Sequence, residues 1–275
     1  METEREDFGP RLVEQLREQV SNLMAAAQLL TPAIREQPER RYDQYLAILN
    51  QSLYRLLRLM NNVECAQRLE RGGAQTVYRP AVLDLAGLCR ELSAQVAPLA
   101  ERAGVAFRYE ADRDALLTTG DGTLLQEMLL HLISNALRAA GAGGEAGVRL
   151  TSGRDRAVIT VWDGGTGESL PGAGEDAGAG EDARAGEALH REPGLGLGIK
   201  LARQIAALHG GALVYERREE RGLRAAVSLP VSLPGKADTL RSPKGTFDAT
   251  GGFSRALVEL SGVLPYGVFL PEDLE

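Results

Sequence analysis

The chain of 275 residues is long enough for one substantial core plus a smaller element. With 44% hydrophobic and 25% charged residues it has the composition of a globular protein. A formal net charge of −7 excludes a general nucleic-acid or anionic-membrane binder, which needs a basic surface. The stretch Met1 to Asp7 is charged and lacks the apolar core of a signal peptide, and no run approaches the ~20 apolar residues of a membrane helix. The expectation is a cytoplasmic protein that senses soluble signals or partners.

Residues 8 to 71 read as two helices. Leu12, Leu16, Val20, Leu23, Met24, Ala27 and Leu30 recur at spacings of three and four, and Pro32 and Pro38 bracket the end of this stripe. A second stripe runs from Tyr42 through Leu46, Leu49, Leu53, Leu57 and Met60 to Leu69, stopped by Gly72 and Gly73. Two antiparallel helices cannot bury both stripes alone, so the pattern predicts a homodimer through a four-helix bundle. Cys65 and Cys89 sit singly in helical segments without C-x-x-C spacing, and are expected as buried free thiols.

A second domain is expected over 76–234. A strand near Thr76–Pro80 leads into a helix ending at Gly104, then an alternating strand at Val105–Tyr109. Asp121, in the turn Gly120-Asp121-Gly122, is placed to start the next helix. Strands at 148–151 and 157–161 follow, then a low-complexity Gly/Ala/Glu segment over 168–193, read as a mobile lid. A helix at 199–208 and strands at 212–217 and 223–229 complete the domain. The tail, 235–275, holds Phe247, Phe253 and Phe269 and is too apolar for a plain disordered segment. Packing on the second domain is expected for it, with partner docking as the alternative.

Three signatures occupy the second domain in order. Leu129 to Leu137 places Asn135 on an apolar helix, four residues after His131. Val161 to Gly167 is a strand ending in the D-x-G-x-G turn Asp163-Gly164-Gly165-Thr166-Gly167. Gly194-Leu195-Gly196-Leu197-Gly198 precedes a helix, with Leu208-His209-Gly210-Gly211 closing it. Each is weak alone; together they describe a nucleotide site. In this order and spacing they resemble the N box, G1 box and G2 box of the histidine-kinase and gyrase type (Bergerat-fold) ATP-binding domain, over residues 76–234.

That resemblance implies an α+β chain. A helical dimerisation hairpin, 1–75, would precede an α/β-sandwich ATP-binding domain, 76–234, with the tail 235–275 outside the family's template. It implies ATP and Mg²⁺ as ligands and Asn135 as the metal ligand, an amide oxygen being a hard donor suited to Mg²⁺. Asp163 would accept from the adenine N6 amine, with Gly165 and Gly167 letting the backbone turn tightly beside the base. Gly194, Gly196 and Gly198 would let the phosphates approach a helix N-terminus, which favours negative charge.

Several positions carry two readings. His131 stands where the family carries Asn or, in gyrase-like ATPases, a Glu that activates water; it is either a general base or a satisfied core histidine. Arg138, one turn on, either reaches a phosphate or is a solvated helix position. Lys200 and His209 are expected to be solvent-facing and structural, respectively, and Trp162 to be core.

Two departures bear on function. The hairpin resembles the dimerisation and phosphoacceptor hairpin of sensor histidine kinases, yet the family's register puts Glu14 where the phosphorylated histidine should be. The chain's three histidines are His131, His190 and His209, none in the hairpin, so self-phosphorylation at the usual place is excluded. The lid is acidic and has no aromatic residue between Glu168 and Pro193. The expected function is therefore a histidine-kinase-type, two-component-like ATP-binding signalling protein, with a response-regulator-like protein as a possible partner. The alternatives are a non-catalytic pseudokinase scaffold and an anti-sigma-type serine protein kinase, against which the long hairpin argues.

Overall fold

The computed structural model describes residues 2–35, 41–71, 78–165, 197–217, 222–231 and 254–270. The segments 166–196 and 232–253, and with them Gly167, Gly194, Gly196 and the lid, lie outside the described residues. The chain divides into two units, Met1–Arg71 with Thr246–Glu275, and Gly72–Gly245.

In the first unit α1 (Glu2–Arg35) and α2 (Arg41–Arg71) pack along one another. Val20, Met24 and Ala27 of α1 and Leu46, Leu53, Leu57 and Met60 of α2 are buried, the three-and-four spacing of the stripes turned inward. Arg17 of α1 pairs with Glu64 and donates to Asn61 (3.0 Å), near the other end of α2. A second set of apolar residues stays outside. Leu16, Leu23 and Leu30, seven apart on α1, are 43%, 55% and 54% exposed, and Tyr45, Ile48, Leu49 and Leu56 of α2 are also exposed.

The described part of the tail, expected on the ATP-binding domain, instead packs on α2. It forms a short helix α6 (Arg255–Leu260) and a 3₁₀ turn (Tyr266–Phe269). Ser254 caps α6, its hydroxyl accepting from the Leu257 N–H (3.4 Å). Phe269 is fully buried, 5.3 Å from the Tyr54 ring. The apolar content that marked the tail as foldable is thus buried against the hairpin. Its partner was invisible in the sequence because the pairing is long-range.

The second unit has a five-stranded sheet of order β2-β4-β5-β7-β6: β2 (Ala106–Ala111), β4 (Glu145–Ser152), β5 (Arg156–Asp163), β6 (Ala212–Arg217) and β7 (Leu223–Pro230). Among the described strands of this sheet only the β2–β4 pair is parallel. A two-stranded sheet joins β1 (Ala81–Asp84) to β3 (Leu117–Gly120), a strand the sequence pattern did not reveal at four residues. Helices α3 (Leu85–Arg102), α4 (Gly122–Ala140) and α5 (Leu197–Leu208) complete the layer. Along β5, Ala157, Ile159, Val161 and Asp163 are buried and alternate residues, Trp162 included, are half-buried, as period two demands. Trp162 therefore lies across Gly147 rather than in the core. Cys65 and Cys89 are buried and belong to no disulfide, and burial pushes the Cys89 thiol up to about 12. No described helix is long and apolar enough to cross a membrane.

Candidate nucleotide site

Helix α4 starts where the sequence placed it. Asp121 is the N-cap, its Oδ1 accepting from the N–H groups of Thr123 (3.0 Å) and Leu124 (3.2 Å), while Oδ2 accepts from the backbone N–H of Arg79 (2.9 Å). The Asp121 N–H itself donates to Nε2 of His209 (2.9 Å). The other ring nitrogen, Nδ1, lies 2.8 Å from the Ile205 carbonyl, which can only accept. His209 is therefore a neutral imidazole with its hydrogen on Nδ1, linking the end of α5 to the start of α4. Burial, its largest influence, lowers its pKa below the ordinary histidine value. The structural role expected for it is the one its contacts describe.

Asp163 closes β5 and is 4% exposed. Its Oδ1 accepts from the N–H of Gly165 (2.9 Å) and more weakly from that of Leu223 (3.4 Å), which fixes the carboxylate plane. Two glycines make this possible. A Cβ on Gly165 would sit 2.1 Å from the Ala139 carbonyl at the end of α4, so its bareness lets the turn approach the helix rather than the base. Gly222, at φ +81°, would bring a Cβ within 2.1 Å of the Asp163 carbonyl and 2.7 Å of Oδ1. Gly222 was missed in the sequence; its only local signal is a glycine immediately before an alternating strand.

Between α4 and the sheet opens a pocket enclosing about 560 Å³ of empty space, part of it open to solvent. Leu132, Asn135, Ala136, Arg138 and Ala139 line it from α4. Val161 and Asp163 line it from β5, Tyr215 from β6, and Leu223 and Ala225 from β7. The lining is mostly apolar, with one buried carboxylate, one amide and one guanidinium among it. Such a cleft suits a planar heteroaromatic base with a charged substituent. Burial pushes the Tyr215 phenol up to about 12, so it is a neutral wall. Tyr215 was also missed, being one aromatic in an ordinary strand.

Three expected site residues thus come together at the pocket: Asn135, Arg138 and Asp163. Gly165 shapes its rim from behind. His131 is 1% exposed and is not among the residues lining the pocket. Its ring packs against Gly198 in the first turn of α5, where an added Cβ would lie 3.4 Å from Nδ1. Gly198 thereby marks where α5 meets α4, at a spacing that leaves room for ordinary van der Waals contact. Lys200 is exposed.

Residues 120–233 match the family described as histidine kinase-, DNA gyrase B-, and HSP90-like ATPase. The chain carries a histidine kinase-type ATPase domain. Among curated relatives, the sensor protein CutS of Streptomyces coelicolor is 36% identical over 171 residues, covering 62% of this chain and 40% of CutS. The chain spans about two fifths of the length of the curated relatives it matches. Among solved structures, full-length ShkA in complex with AMPPNP aligns with a TM-score of 0.61 at 22% identity, covering 82% of this chain and 46% of ShkA. The histidine kinase ThkA in complex with the response regulator TrrA aligns with a TM-score of 0.50 at 19% identity, over 84% of this chain and 64% of ThkA. These structures share the fold, helices together with a mixed five-stranded sheet.

Proposed function

We propose that the chain is an Mg-ATP-binding signalling protein of the histidine-kinase type that does not phosphorylate itself in its hairpin. The observation that carries the reading is the buried Asp163 carboxylate at the edge of an apolar cleft, held by two backbone amides in a cradle that only glycine permits. Such a carboxylate accepts from the adenine N6 amine, while Leu132, Ala136, Val161, Leu223 and Ala225 offer the apolar walls that cover the base. Asn135 would hold Mg²⁺ through its amide oxygen, and Arg138 would meet phosphate charge. When bound there, Mg²⁺ would supply positive charge against the triphosphate. Gly167, Gly194 and Gly196 belong to the same proposal on the strength of the sequence pattern, as does a cytoplasmic location. In the α4–α5 contact His131 acts by positioning rather than as a general base.

Two copies are proposed to pair through the exposed Leu16, Leu23 and Leu30 with Tyr45, Ile48, Leu49 and Leu56, since a contiguous apolar stripe of this kind calls for a partner. The ThkA–TrrA complex supports a response-regulator-like protein as the further partner. A second reading, a pseudokinase scaffold whose shape is set by nucleotide, is favoured by one specific fact: no histidine occurs before His131.

The deciding experiment follows the γ-phosphate of labelled Mg-ATP incubated with purified protein. Release of phosphate, or acid-labile transfer to a partner, is the expected result. Bound but unchanged ATP, with a response-regulator-like partner present, would leave the scaffold reading standing and overturn the enzymatic one.

A further inference from the structure

The tail is held on α2 by an unusual division of labour. On one side of α2, Asn50, Gln51, Tyr54, Arg55 and Arg58 recur at helical spacing, and each ends in a polar group. Asn50 donates to the Phe269 carbonyl (3.1 Å), Gln51 to those of Leu264 (2.7 Å) and Ser261 (3.2 Å), and Arg55 to Ser261 again (3.2 Å). Arg58 pairs with the Glu259 carboxylate at 2.8 Å, with the two side chains only 13% and 10% exposed. The α2 face therefore reads main-chain carbonyls at a helix end and one carboxylate. Apolar cover comes from the tail, where Leu257, Leu260, Leu264, Val268 and Phe269 are all buried.

The amides and guanidinium groups of this face are satisfied by water when it is vacant, and its one aromatic ring, Tyr54, is covered by Phe269 of the tail. Recognition through backbone oxygens and a single ion pair is the chemistry of peptide docking rather than of a permanent core. We propose that this face of α2 is a segment-recognition site. It holds residues 254–270 as a releasable internal ligand, selected by the Glu259 carboxylate one turn from a helix end and by the aromatic Phe269. The inference stands apart from the nucleotide reading.

Because the tail is tethered, it competes at an effective concentration in the millimolar range, so a peptide added to the intact chain is largely excluded. The test weakens the internal ligand in the full chain. Glu259→Arg sets two guanidinium groups against each other, and binding of a labelled synthetic peptide of residues 254–270 is measured by fluorescence anisotropy. The Glu259→Arg chain is expected to bind the peptide at least tenfold more tightly than the unaltered chain, with helix content retained by circular dichroism. The charge-swapped chain Arg58→Glu/Glu259→Arg recloses on its own tail and is expected to lose that binding. Affinity no higher in Glu259→Arg, equal affinity in the charge-swapped chain, or collapse of the hairpin helices on loss of the ion pair would each overturn the proposal.

Discussion

At the scale of single residues, the site depends on what glycine permits around one carboxylate. Gly222→Ala must adopt a left-handed backbone and thrust a methyl group at the Asp163 carbonyl. The expected result is a loss of about 1–3 kcal/mol in denaturant unfolding, together with weakened nucleotide binding, since the Leu223 N–H shifts away from Oδ1. His209 supplies a pH dependence. Its folded pKa is lowered by burial, so the unfolded state binds the proton more readily below the ordinary value near 6.5. Its contribution to stability is fully present above that value and falls as pH drops from there toward the folded pKa, by at most about 1.4 kcal/mol per pH unit. Urea midpoints measured from pH 7.5 to 5 check this, with His209→Gln expected to flatten that part of the profile. Asp163 was legible because a strand, a carboxylate and a glycine turn are contiguous in the chain. Gly222 was not, because what excludes its side chain lies on another strand.

At the scale of elements, three-and-four spacing located the two hairpin helices and alternation most strands, since burial of one face imposes that spacing, although the strand expected at 76–80 lies instead at Ala81–Asp84. It could not say which residue of the apolar helix α4 faces the pocket. His131 and Asn135 share a spacing of four, yet Asn135 lines the cleft while His131 packs against Gly198 of α5. A Cβ at Gly198 would make only ordinary contact with the imidazole, so Gly198→Ala is expected to be tolerated; the branched Gly198→Val is expected to press on the ring and weaken Mg-nucleotide binding severalfold, with adenosine binding unchanged, and isothermal titration with each ligand separates the two. β3, at four residues, was too short to show a period. The α1 heptad leads to another outcome. Leu23→Asp with Leu30→Asp removes apolar surface that is already exposed in one copy, so the helices should persist while the mass by light scattering falls from that of the proposed dimer to a monomer. A double variant that keeps the dimeric mass would remove this face from the interface.

For the molecule as a whole, the two units tell different stories about the family they resemble. The unit bearing the ATPase domain retains the cleft, its carboxylate and its amide. The hairpin unit contains no histidine and packs residues 254–270 on part of α2. The first was readable from motifs because nucleotide chemistry confines residue types to fixed spacings. The second was not, because Arg58 and Glu259 meet only when residues from opposite ends of the chain come together. The central claim is that ATP sits with its base on Asp163, and calorimetric titration of Mg-ATP into the unaltered chain and Asp163→Asn tests it most directly. An asparagine can still accept from Gly165 and Leu223, so the fold and melting temperature should hold. Affinity for ATP should nevertheless fall by about tenfold or more as a carboxylate oxygen becomes an amide donor facing the N6 amine. Equal affinity in the two proteins, with both folded, would contradict the placement of the base.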